Sequence, residues 1–277
     1  MIQIITEMFS YPFMLRAVIV GVLVSLCAAL LGTSLVLKRY SMIGDGLSHV
    51  GFAALAVAYV TNLAPLTVAI PICVFSAFLL LRMNENSKIK GDAATALMCS
   101  GALAVGVMTV SVTTGMNTDV CNYMFGSILA MSPADVKISV ILSAAVIILF
   151  VAFYPRIFAV TFDENFAKAT GTNSNLYNMI IALLTAVTVV LGMRMMGTLL
   201  ISSLIVFPSL SSMRICKKFK TVIISSVFVS IVCFLTGIFI SYEYSTPTGA
   251  SIVIINIIVF LVFSLIERGR EHVQNEK

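Results

Sequence analysis

Asp45 and His49 stand four residues apart in the segment GDGLSH (44–49), at the start of an apolar run, where a helix would put them on one face. A carboxylate oxygen with an imidazole nitrogen makes half of a site for zinc or manganese, the other positions falling to water, backbone or another helix. Ionisable groups within an apolar span are costly to bury, so they usually face a protein interior or a water-filled path. The spacing leaves a second reading open, with Asp45 as a helix N-terminal anion near Lys38 and Arg39 and His49 as its hydrogen-bonded neighbour. Ser48, Ser202, Ser203 and Pro208 are candidates for the lining or gate of a path, as are Arg194, Ser209 and Asn256, although Ser and Asn also bridge helices. Pro208, within GTLLISSLIVFPSLSSMR (197–214), must kink its helix or free backbone carbonyls, which is tolerated at membrane depth only where protein or a cavity satisfies them. The chain carries no G-x-x-x-x-G-K-[ST], no H-E-x-x-H and no G-x-S-x-G, so any ATP that drives it is hydrolysed on another chain. An intramembrane enzyme would need a fuller constellation than one histidine in a span supplies.

An ion site of this kind needs helices around it, and the composition supplies them. The 277 residues are 60% hydrophobic and only 10% charged, with a mean hydropathy of +1.07, against roughly 45–50% apolar and about 25% charged in soluble domains. A soluble enzyme is excluded, and the expected class is all-α: a polytopic transmembrane helical bundle in the cell membrane, in contact with lipid. Apolar runs near 12–37, 42–60, 63–82, 93–115, 133–154, 177–195, 197–214, 220–241 and 247–266 give nine spans, or eight if the two runs that meet after Arg194 form one bent element. A short, partly inserted helix is expected within 117–132. Nothing divides the chain, so 1–277 reads as a single transmembrane domain.

Alternating the nine spans from an outside N-terminus puts all of the 17 Lys and Arg residues except Arg16, Lys137 and Arg194 on one side. The positive-inside rule makes that side the cytoplasm, with the N-terminus out and the C-terminus in. The net charge of +5 therefore sets orientation; without basic clusters interleaved with aromatics it does not point to nucleic acid. The N-terminus MIQIITEMF lacks the positive region of a signal peptide, so the first span is expected to be retained. The six cysteines (Cys27, Cys73, Cys99, Cys121, Cys216, Cys233) form no C-x-x-C, and most lie in apolar runs, where they read as small hydrophobes.

The longest polar segment on the cytoplasmic side is 155–176, PRIFAVTFDENFAKATGTNSNL. It reads as a short helix ended by Gly171, with Phe162, Phe166 and Ala169 toward one face, fit to lie on a membrane surface or to dock into a groove on a partner.

Five segments taken in order resemble the metal-uptake permease family of ATP-binding cassette importers, the zinc and manganese permeases. RYSMIGDGLSH (39–49) resembles the segment after that family's first span, and YMFGSIL (123–129) its central Phe-Gly motif. FDENFAKATG (162–171) resembles its cytoplasmic Phe-Asp-x-x-Phe-Ala-x-x-x-Gly segment, 197–214 its proline-containing late span, and SYEYSTPTGASIV (241–253) its last loop and span. The resemblance implies that Asp45 and His49 handle the transported metal, zinc or manganese with a lean to zinc, and that no cofactor is bound permanently. It makes Phe162, Asp163, Glu164, Phe166, Ala167 and Gly171 a coupling segment that docks on a cytoplasmic ATPase, where ATP is bound. It further implies a second permease copy in a homodimer and an extracytoplasmic metal-binding protein that delivers the ion. Without the coupling segment, a secondary metal transporter or channel would explain the spans and the Asp45–His49 pair equally well. One departure stands out: many relatives carry Pro-Gly shortly after the histidine, where this chain has Phe52, Ala53 and Ala54.

Overall fold

In a bilayer, backbone N–H and C=O groups find partners only within their own segment, so each long apolar run is driven into a helix. The computed structural model describes residues 10–86, 92–113 and 132–275. In chain order the helices are α1 (Pro12–Leu37), α2 (Ile43–Val60), α3 (Pro65–Asn86), α4 (Asp92–Thr113), α5 (Pro133–Ala152), α6 (Tyr154–Phe162), α7 (Glu164–Ala169), α8 (Ser174–Met196), α9 (Thr198–Ile215), α10 (Phe219–Tyr244) and α11 (Thr248–Asn275). Among the described residues nine of these, α1 to α5 and α8 to α11, are long and apolar enough to cross a membrane. The YMFGSIL motif, Cys121 and all of 117–132 except Ser132 lie outside the described residues.

Local chemistry sets the boundaries. α8 and α9 are two helices rather than one bent element, because Gly197 between them has φ 83° and ψ 165°, a conformation that a side chain would strain. α5 opens on a capping box in which Ser132 and Asp135 satisfy each other's backbone N–H groups, with Pro133 in the first turn. Pro208 is buried in the interior of α9. It withholds the N–H that Leu204 would otherwise receive, yet the helix continues through it to Ile215.

α1, α2 and α8 form the inside of the bundle, whereas α4 and α11 are largely exposed. α1 packs against α8, α9 and α10; α2 lies between α3 and α4; α9 carries α11 on its outer side. Because lipid tails are as apolar as the helices, association here rests on close packing and polar bridges rather than on the hydrophobic effect. Such a bridge joins three helices: Thr33 and Ser209 hydroxyls are 3.5 Å apart, those of Ser209 and Ser226 3.3 Å, and Ser230 donates to the Ser25 carbonyl at 3.1 Å. Ser209 is therefore a helix bridge, and Asn256 spends its amide on the Ile252 carbonyl of its own helix at 2.9 Å. Through Phe52, Ala53 and Ala54 α2 runs unbroken, and Phe52 is fully buried.

Candidate metal site and coupling segment

α2 begins at Ile43, which sets Asp45 in its first turn, where the partial positive charge of the helix N-terminus favours a carboxylate. One turn on, His49 Nε2 lies 3.9 Å from Asp45 Oδ1, the two side chains being 17% and 37% exposed. Ser202 of α9 donates to the same Oδ1 at 3.3 Å and shares its proton with the Thr198 carbonyl at 3.2 Å. Ser48 is fully buried and donates to the Asp45 backbone carbonyl at 2.7 Å, so it braces the turn.

The third face is supplied by α4. Gly46 makes the approach possible, since a Cβ there would fall 2.8 Å from Thr95 Cγ2, and farther along a Cβ on Gly106 would meet the Phe52 ring. These two contacts advance together along both chains, so α2 and α4 run parallel. Cys99, one turn beyond Thr95, is thereby carried to the Asp45–His49 pair. One ligand atom from each of Asp45, His49 and Cys99 lies within 4.8 Å of the other two. Oxygen, nitrogen and sulfur donors thus converge at a half-buried place bordered by a serine hydroxyl, a donor set that suits a divalent transition metal. Sequence reading missed Cys99, because fifty residues separate it from His49 and only the packing of α4 on α2 joins them. Ser203 turns away, donating to the Leu200 carbonyl at 2.8 Å, and Pro208 lies about 9 Å along α9 from Ser202.

The segment 155–176 folds as two short helices, not the single one expected. Asp163 separates them in extended backbone (φ −146°, ψ 98°) and caps α7 by accepting from the Phe166 N–H at 2.9 Å. Gly171, at φ 84°, ends α7 in a Schellman motif, with Thr172 N–H donating to the Ala167 carbonyl at 2.9 Å and Gly171 N–H to that of Lys168 at 3.0 Å. Ala167 is buried against Val160 and Tyr177. Phe162 and Phe166 point outward, 59% and 63% exposed. The Phe162 ring also borders Phe158 and Phe219, with centroids at 4.9 and 5.6 Å.

Glu164 ties α7 to the bundle. Its carboxylate meets Lys168 at 3.0 Å and Lys38 at 3.6 Å, and it accepts from Asn178 of α8 at 3.4 Å. Lys38 also donates to Asn178. Burial opposes ionisation of Glu164, but these hydrogen bonds and the two ammonium charges together hold its carboxyl below its ordinary value. Lys38 is the C-cap of α1, and from it a turn containing Arg39 at φ 61° leads straight into α2. Four residues of turn, 39–42, therefore separate Lys38, which anchors α7, from the helix that bears Asp45. Elsewhere, the Asp135 carboxylate at the start of α5 meets Arg194 at the end of α8 at 2.5 Å.

Known proteins share this architecture. A chain of the solved structure of PsaBC from Streptococcus pneumoniae in complex with Fab superposes with a TM-score of 0.88 at 27% identity, covering 100% of both chains. The manganese import system permease protein ScaB of Streptococcus gordonii is 27% identical over 94% of this chain and 93% of its own length. A probable iron transport system membrane protein of Haemophilus influenzae is 30% identical over 99% and 100%, and the high-affinity zinc uptake system membrane protein ZnuB of the same organism 26% over 94% and 99%. The ABC 3 transport family matches residues 10–267. With that family covering nearly the whole chain, and a full-length relative 30% identical, the chain belongs to the ABC 3 transport family, the multi-pass membrane permeases of ATP-binding cassette metal importers.

Proposed function

We propose that the chain admits a divalent transition metal ion, zinc in preference to manganese or iron, through a path on which Asp45 and His49 are the cargo's transient ligands. The observation that carries this reading is the convergence of Asp45, His49 and Ser202 inside the spans of an ABC 3 chain whose relatives are named for manganese, zinc and iron. An extracytoplasmic binding protein presents the ion, the pair holds it weakly, and closure of two ATPases turns the path inward. Two permease copies, each acting as one domain with its C-terminus in the cytoplasm, make the pore. The exposed Phe162 and Phe166 suit a partner's groove, and the route from Glu164 through Lys38 to α2 suits transmission of that closure to Asp45.

The test is uptake under metal limitation with radioactive zinc and manganese. Asp45→Asn and His49→Ala, at normal membrane abundance, should each lower uptake by at least about tenfold. Retained uptake in both variants removes the pair from the mechanism, and uptake that survives loss of the ATPase points to a secondary transporter instead.

A further inference from the structure

We propose that Cys99 supplies a third, sulfur ligand to the transported ion and so sets a preference for zinc over manganese; this rests on Asp45 and His49 being the cargo's ligands. The argument begins with hardness. Carboxylate and imidazole alone suit manganese and zinc alike, whereas a thiolate favours zinc and adds little for manganese, a harder ion already at the weak end of the divalent series. Next comes geometry. Tetrahedral zinc, with Zn–S about 2.3 Å and Zn–N or Zn–O about 2.0–2.2 Å, spaces its ligand atoms roughly 3.3–3.7 Å apart. The three donors already lie within 4.8 Å of one another, with Asp45 and His49 at 3.9 Å. The contraction required is about 1 Å, within reach of side-chain rotation. Cys99 is half-buried, and Gly46 eases its approach, since a Cβ there would press on the Thr95 methyl one turn before Cys99. On binding, the thiol gives up its proton to water and the sulfur takes the ion. Water or the Ser202 hydroxyl is at hand for the fourth position.

Cys99→Ser keeps size and polarity but removes the soft donor. In cells expressing the complete transporter, the substitution should lower the ratio of zinc to manganese uptake by at least about tenfold. An unchanged ratio in Cys99→Ser, while Asp45→Asn still abolishes uptake of both metals, overturns the role of Cys99 and leaves the Asp45–His49 path standing. Uptake unaffected by Asp45→Asn and His49→Ala would instead overturn that path. A second measurement does not depend on how well the variant inserts. Purified wild-type protein titrated with cobalt(II) should develop a near-ultraviolet sulfur-to-metal charge-transfer band that Cys99→Ser lacks. Absence of the band in the wild type, or its persistence in Cys99→Ser, overturns the proposal.

Discussion

At the scale of single residues, the Asp45 carboxylate is the hub of the candidate site, with one of its oxygens facing His49 and accepting from Ser202. Ser202 has an alternative acceptor in the Thr198 carbonyl, so its loss should be mild. Ser202→Ala is expected to cost about 1 kcal/mol of orientation at Asp45, read as a several-fold rise in the metal concentration for half-maximal uptake, with maximal uptake nearly unchanged. Asp45 and His49 were legible as a pair because four residues is one helical turn, a distance that sequence alone fixes. Ser202 was legible as a candidate for the lining of a path but not as a partner of Asp45, and Cys99 only as a small hydrophobe. What joins these two to the pair is the packing of α9 and α4 on α2, which depends on contacts such as Gly46 on Thr95 that no local pattern records.

At the scale of elements, the candidate coupling segment has a hydrophilic anchor and an apolar outward face. Phe166→Asp places a charge on that face and should weaken co-purification of the ATPase by at least about tenfold, while cobalt binding by the purified permease stays intact. The anchor has a pH signature. Glu164 is held below its ordinary value of 4.5, so its hold on α7 is fully present above that value and is lost as pH falls through the lowered one. Amide exchange in 164–169, corrected for its intrinsic pH dependence, should be slow at neutral pH and accelerate in acid. Glu164→Gln should show the fast exchange at every pH. The spans themselves were legible to within three residues at every start, although α11 runs nine residues past the expected 266, since about 20 apolar residues in lipid permit only one structure. The segment 155–176 was legible as amphipathic but not as two helices. Its division depends on Asp163 taking extended backbone to cap α7, and a sequence shows an aspartate there without showing which helix it serves.

For the whole molecule, the distribution of Lys and Arg implies a definite orientation. A reporter fused after Lys277 should be active only where it senses the cytoplasm, and an external signal would reverse every assignment of inside and outside made from the charges. If Asp45, His49 and Cys99 hold the ion as proposed, the architecture offers a way to grip it and still let it go. α2 is a core helix with 72% of its span buried, whereas α4 has only 17% buried and leans chiefly on α2. A site with one jaw on each resembles a clasp whose plate is bolted deep in the bundle while its tongue is held, within one copy, mainly by the plate. On the proposed ligand set, fastening the clasp would draw α4 toward α2, and a small swing of α4 would undo it while the packing of α1 on α8 and α9 stays as it is. In such a device the cargo is itself the pin, so an occupied transporter should be stiffer at its rim than an empty one.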